Sequence, residues 1–88
     1  MIHSAAIKFP ARNGLIFIGK RHADCFRGAE KYGLTLKDRE GCIQGFLERE
    51  DERCKFVTRT EAAKIAIDCG QIKELKYSKT ELFSEDLY

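Results

Sequence analysis

The sequence has no long apolar run, and this absence excludes several classes of protein. None of its stretches approaches the roughly 20 apolar residues that a membrane-spanning helix needs. Residues 1–8 lack the apolar centre of a secretory signal. We therefore expect a cytoplasmic protein with reduced thiols and no membrane partner.

An excess of charge of one sign is missing as well. Sixteen Lys and Arg residues stand against fourteen Asp and Glu residues, so the net charge is only +2. The two signs are interspersed along the chain, which argues against a nucleic-acid partner. Internal repeats, linkers and low-complexity segments are also absent, and residues 1–88 are predicted to form a single domain.

Sequence motifs of catalysis are absent too. The chain contains no GxxxxGK[ST], GxGxxG, GxSxG or HExxH pattern, and no CxxC. The four cysteines are widely spaced and are interpreted as buried free thiols: Cys25, Cys42, Cys54 and Cys69. His22 and Cys25 form an HxxC pair, but zinc would need two more ligands. A Cys25 nucleophile with His22 as its base lacks an orienting third residue. We predict no metal, no cofactor and no enzymatic activity.

Turn residues and alternating apolar positions predict two β-hairpins. The first joins residues 5–9 to residues 15–18 through Asn13-Gly14, a strong hairpin signal. The second joins residues 42–48 to residues 54–58 through a charged turn. Gly45, inside the third of these strands, indicates a bulge or a close approach of two backbones.

Two helices are predicted beside the strands. The first covers residues 23–32 and ends at Gly33. The second follows Thr58, which forms a capping box with Glu61, and ends at Gly70. Its apolar residues recur at helical spacing: Ala62, Ala63, Ile65, Ala66, Ile67 and Cys69.

The remaining segments complete an α+β fold. Leu34 and Leu36 are expected to pack onto the first helix, with a charged turn at 37–41 after them. Residues 71–75 are interpreted as a short strand or an extended arm. Large apolar residues at 80–88 predict a docking tail. The whole is an antiparallel sheet from two hairpins, with two helices packed on one side and this C-terminal tail.

Three short stretches could bind an anion or a nucleotide. A basic cluster at 20–22 precedes a helix, where free N–H groups favour phosphate. Gln44-Gly45-Phe46 offers an amide, a close backbone approach and a stacking face. Thr58-Arg59 places an Arg in the first turn of the second helix, where it can help the helix N-terminus hold an anion. Each stretch also has a simpler interpretation, as a solvated turn, a core Phe or a surface Arg. The candidate ligand-binding residues are Arg21, His22, Gln44, Phe46, Thr58 and Arg59.

Five short blocks occur in a fixed order along most of the chain. The blocks are GKRHADC at 19–25, QGFL at 44–47, FVTRTEAAKIA at 56–66, GQI at 70–72 and SEDLY at 84–88. Together they resemble a family of small phage and prophage proteins, and within it the anti-Thoeris sponges. The resemblance covers roughly residues 5–88.

The resemblance implies that the protein sequesters a nucleotide signal without catalysing a reaction on it. Sponges of this kind bind cyclic ADP-ribose isomers made by the host's Thoeris TIR enzyme, and some hold cyclic oligonucleotides of the related CBASS system. They act in the cytoplasm of the infected bacterium as homodimers or dimer-based assemblies with pockets between subunits. The resemblance also implies that the pockets contain Arg side chains and an aromatic ring. The residues of matching type in this chain are Arg21, Arg59 and Phe46. A pocket Asn is also implied, but Asn13 is interpreted as a turn residue.

Two other functions remain open at the level of sequence. The chain could inhibit a host defence enzyme by direct binding, through its apolar, acidic tail and the charged segment at 49–53. It could also be a small enzyme that uses Cys25 and His22.

Overall fold

A computed structural model describes residues 1–87 as one antiparallel sheet with helices on one face. The helices and strands, in chain order, are β1 (Ile2–Phe9), β2 (Leu15–Gly19), α1 (His22–Tyr32), α2 (Leu36–Arg39), β3 (Ile43–Glu50), β4 (Arg53–Thr58), α3 (Arg59–Asp68) and α4 (Ser84–Leu87). The strand order is β2-β1-β3-β4. The predicted α+β fold of two hairpins is confirmed, and pairing of β1 with β3 joins the hairpins into one sheet.

The first hairpin closes through a longer loop than a two-residue turn. A 3-10 turn at Pro10–Arg12 comes before the predicted turn residues. Asn13 and Gly14 then have positive φ angles of 57° and 75°. These are the two residue types that adopt this left-handed conformation most readily, so the local signal was correct although the loop is longer.

Both long helices pack on the same face of the sheet. The register places Ala5, Phe46 and Val57 directly opposite one another, and all three are buried on this face. Cys25 of α1 joins the same core, as do the alanines of α3: Ala62, Ala63 and Ala66. The predicted apolar stripe of α3 is thus correct at its alanines. It is wrong at Ile67, which is 42% exposed, and at Cys69.

The segment after α1 differs from the prediction. Residues 36–39 form the short helix α2 because Thr35 caps it: Thr35 Oγ accepts from the Asp38 N–H, and the Asp38 carboxylate accepts from the Thr35 N–H. Arg12 holds the same carboxylate at 3.0 Å. Leu34 is buried as expected, but Leu36 is 77% exposed and does not pack onto α1.

Two further expectations are corrected. Of the two alternatives for residues 71–75, a strand or an extended arm, the strand is wrong; Gln71 uses its amide to bond the N–H and carbonyl of Ile2. All four cysteines are free, yet only Cys25 is buried, whereas Cys54 and Cys69 are exposed.

The C-terminal tail docks onto its own chain. Leu82 is fully buried, and its N–H donates to the carbonyl of Arg59 at 3.1 Å. The Asp86 carboxylate accepts from the backbone N–H groups of Phe83 and Lys76, both at 2.9 Å. Tyr88, which was included in the predicted tail, lies outside the described residues.

Candidate functional site

The sheet register places the ends of the two strands that lead into α1 and α3 at nearly the same height along the sheet. Strand β2 ends at Gly19, opposite Ala5 of β1. Strand β4 ends at Thr58, opposite Gly45 of β3, which in turn lies opposite Ala6. The two strands that lead into the helices therefore end within one residue of the same height, at opposite edges of the sheet. Side chains at both starts reach the middle of β3.

Arg59, the first residue of α3, lies over this part of the sheet. Its Nη2 donates to Gln44 Oε1 at 2.8 Å, and its guanidinium carbon lies 4.6 Å from the ring centroid of Phe83. The buried Nε has no hydrogen-bond partner among residues 1–87. Within the same residues no carboxylate lies within salt-bridge distance of Arg59. Its positive charge is thus held by a neutral amide and an aromatic face.

His22 begins α1 and reaches the next residue of β3. Its Nε2 donates to the Gly45 carbonyl oxygen at 2.8 Å, and its ring meets Phe46 edge-on with centroids 5.1 Å apart. Burial lowers the pKa of His22, and the nearby positive charge of Arg59 lowers it further. The imidazole is therefore neutral at neutral pH, with its proton on Nε2.

Arg21 faces the C-terminal tail. Its Nη1 lies 3.6 Å from Glu85 Oε1, and its backbone N–H donates to the Asp24 carboxylate, which caps α1. The tail thus brings a carboxylate to Arg21 and an aromatic ring to Arg59. Phe83 and Glu85 were not predicted as site residues. The acid and ring in the tail were visible in the sequence, but their long-range partners were not.

The two other predicted residues have structural roles. Phe46 is fully buried, so contact between its ring and a ligand would require a rearrangement of the core. Thr58 Oγ accepts from the Glu61 N–H at 3.2 Å, as the capping box predicts. Binding roles for these two residues stay predictions.

The site residues described above form one group, which we call the Arg59 cluster: Arg21, His22, Gln44, Arg59, Phe83 and Glu85. Cys25 lies in the core beside this cluster. Its Sγ lies 3.5 Å from the carbonyl oxygens of both Ala5 and Arg21, so the single S–H can donate to either, and burial raises the pKa of the thiol to about 11. Such a thiol carries little thiolate at neutral pH and is a poor nucleophile. In the part of the chain that the structure describes, no group of three or more His, Cys, Asp or Glu side chains could hold a metal ion.

The cluster is covered rather than open. The tail crosses it, and a surface groove of about 320 Å³ lies elsewhere, at Met1, His3, Arg49 and Asp51.

No helix within residues 1–87 has the length and apolar character required to cross a membrane.

Comparison with known proteins identifies the family. A family profile described as phage T4 y16D protein matches residues 1–88, the full length of the chain. No match was found among curated proteins or among solved structures. The chain therefore belongs to the phage T4 y16D protein family, a family of small phage proteins.

Proposed function

We propose that this phage protein binds a cyclic nucleotide signal of host immunity and sequesters it without degrading it. The ligand is a cyclic ADP-ribose isomer or a cyclic oligonucleotide, bound in the cytoplasm of the infected bacterium by a homodimer or a dimer-based assembly. The observation that carries the proposal is Arg59, whose partly buried guanidinium is positioned by Gln44 and Phe83 and has no carboxylate partner among residues 1–87.

A guanidinium held in this way suits a phosphate. Arg presents paired N–H donors that match the oxygens of a pyrophosphate, and such charge-assisted bonds are about twice as strong as neutral ones. The first N–H groups of a helix add to the attraction. Both α1 and α3 begin beside the cluster, with Arg21 at the start of one and Arg59 at the start of the other.

The tail is the natural competitor for this ligand. Glu85 and Arg21 are 53% and 39% exposed at their side chains, so their ion pair contributes only about 0–1 kcal/mol. A phosphate that replaces the Glu85 carboxylate at Arg21 would therefore sacrifice little binding free energy to break this ion pair. Phe83 already lies on Arg59 and offers a ring that can stay in place or stack on a base.

The chemistry of the buried groups supports binding without catalysis. Cys25 is held as a thiol, and His22 is neutral and bonded to the backbone of β3. Neither group is poised for nucleophilic or acid–base work on an exposed ligand.

Calorimetry tests the proposal directly. Purified protein is titrated with cyclic ADP-ribose isomers and with cyclic di- and trinucleotides. We expect at least one to bind with a dissociation constant below ~10 μM, equivalent to roughly −7 kcal/mol. The bound nucleotide should return intact after heat denaturation of the complex. Failure of every nucleotide to bind ends the proposal, and release of a degraded product identifies an enzyme instead.

A charge-neutral variant of the tail locates the site. Glu85→Gln removes the competing carboxylate but keeps its size, so nucleotide affinity should rise about two- to fivefold, within the free energy of an exposed ion pair. Glu81→Gln makes the same change at an exposed tail position and should alter the affinity less. Equal effects of the two variants would mean that the ligand does not compete with Glu85.

A further inference from the structure

The face of the sheet opposite the helices is unusually apolar. Antiparallel sheets with one covered face carry polar side chains on the other. Here the register assigns five large apolar residues to the uncovered side, which we call the open face: Ile16, Ile18, Ile43, Leu47 and Phe56. Ile18, Ile43 and Ile16 are 53%, 40% and 37% exposed.

These side chains stand on β2, β3 and β4, and β1 runs between them. Ile16 of β2 and Ile43 of β3 both lie opposite Lys8 of β1. Farther along the sheet, Leu47 lies between Ser4 and Phe56. A contiguous apolar surface of this kind marks an interaction site in a water-soluble fold.

The centre of the open face is a shallow depression. The small residues Ser4, Ala6 and Gly45 lie along it and are buried, although both long helices pack on the other face. Larger side chains on either side produce this burial. The Phe56 ring leans over Gly45, since a Cβ on Gly45 would lie 2.7 Å from Phe56 Cζ.

The charges on the open face are few: among the described strand residues the register assigns it Lys8 of β1 and Arg49 of β3. Lys8 points its ammonium towards the Phe56 ring, with Nζ 5.9 Å from the centroid. Arg49 lies opposite Cys54, near the tip of the second hairpin. The register assigns no carboxylate to this face among the strand residues after Ile2. Lys8 can keep its charge in water while its stem covers apolar surface.

We infer that the open face binds the open face of a second copy of this chain. Sheets pack face to face at about 10 Å, with strands within about 30° of parallel. A four-stranded face six residues long measures roughly 19 by 20 Å. A single helix, about 10 Å across, would cover only half of that width. A second sheet of the same width covers all of it.

The size of the face is that of a weak interface between proteins. Two such faces remove on the order of 1,000 Å² of accessible surface from water, near the lower limit for a specific interface. The pair should therefore be a two-fold dimer with a dissociation constant in the micromolar range. Its helices lie outside, so the Arg59 cluster and the tail stay clear of the interface.

Sedimentation equilibrium in reducing buffer, with no nucleotide present, tests this inference. The chain should move from the mass of one copy towards that of two as its concentration rises from about 1 to about 500 μM, the range that this interface size implies. Ile18→Lys places a charge on the open face and should raise the dimer dissociation constant at least about tenfold. The matched control is Ile67→Lys, at a similarly exposed isoleucine of α3, which should leave it within about twofold.

Several results would overturn the inference. A wild-type chain that stays monomeric at every concentration is one, and it would point to a different partner for this face. A dimer that Ile18→Lys and Ile67→Lys weaken equally, or that neither weakens, is another. If circular dichroism shows that Ile18→Lys is unfolded, Ile18→Thr decides the question, because Thr keeps the β-branched shape while reducing the apolar surface.

Discussion

Gly45 of β3 lies against the Val57 carbonyl of β4 and the ring of Phe56. A Cβ at this position would collide with the Val57 carbonyl oxygen and lie 2.7 Å from Phe56 Cζ. Overpacking of this kind costs about 1–3 kcal/mol, and backbone atoms cannot move aside as a flexible side chain can. Gly45→Ala should therefore lower the free energy of unfolding by about 2 kcal/mol or more, measured by urea denaturation.

Gly28 provides the matched control for this substitution. It lies inside α1, and a Cβ there would be 3.7 Å from Phe17 Cδ1, an ordinary contact. Because Ala is favoured over Gly in a helix by about 1 kcal/mol, Gly28→Ala should raise the free energy of unfolding. Equal urea midpoints for the two variants would contradict the close approach at Gly45.

His22 makes the stability of the fold depend on pH. Burial lowers its pKa in the folded protein by more than the hydrogen bond to the Gly45 carbonyl raises it, and the charge of Arg59 lowers it further against a smaller opposing effect of Glu85. The unfolded chain takes up a proton as the pH falls through about 6.5, whereas the folded chain resists it, so stability is lost as the pH falls below that value. The melting temperature should fall between pH 7.5 and pH 5.5.

Two histidine variants isolate this effect. His22→Gln keeps an N–H donor for the Gly45 carbonyl but cannot titrate, so the decline in melting temperature should be smaller. His3→Gln removes the other histidine, which is exposed, and should keep the wild-type decline. The same decline in all three proteins would assign the pH dependence to other groups.

At the scale of elements, the tail is part of the core. Leu82 is fully buried and is anchored to α3 by its bond to the Arg59 carbonyl. Truncation of a buried Leu costs about 2–5 kcal/mol, so Leu82→Ala should lower the free energy of unfolding by an amount in this range. Leu36→Ala, at a leucine that is 77% exposed, should change it by less than about 0.5 kcal/mol. Similar urea midpoints for the two variants would mean that the tail is not docked.

Elements with local signals could be predicted from the sequence. The signal of the first hairpin is carried by adjacent turn residues, Asn13 and Gly14, and that of α3 by a cap and its partner three residues later. The same kind of cap, Thr35 with Asp38, was present before α2 and was missed. The ion pair between Arg12 and Asp38 also stabilises α2, but it joins residues far apart in the chain and therefore has no local signal in the sequence.

The candidate site follows the same division. Arg21, His22 and Arg59 were predicted from their positions at helix starts. The structure places His22 and Arg59 against the middle of β3, where Arg59 bonds Gln44, and places Arg21 beside Glu85 of the tail. The tail's contribution was not predicted, because pairing of Glu85 with Arg21 and of Phe83 with Arg59 depends on the complete fold. Burial of Phe46 likewise follows from α1 and α3 packing over one face.

For the whole molecule, the sheet order decides which surfaces remain available. Pairing of β1 with β3 puts the shorter strands at the edges and leaves an apolar face opposite the helices. Hairpin signals cannot specify this pairing, since it joins residues about 40 positions apart. The structure therefore supplies the site cluster and the open face, while the family supplies the phage setting.

Native mass spectrometry can show whether Arg59 holds a nucleotide signal of host immunity, as we propose. The protein is purified from cells that also express an active nucleotide cyclase. We expect the wild type to carry an intact cyclic nucleotide. Loss of one charge-assisted pair costs ~1.5–3 kcal/mol, so Arg59→Ala should lose most of the adduct. Arg27→Ala, at an exposed Arg paired with Asp24 on α1, should keep it. A wild-type protein without nucleotide, or an Arg59→Ala variant as fully loaded as wild type, would contradict the account.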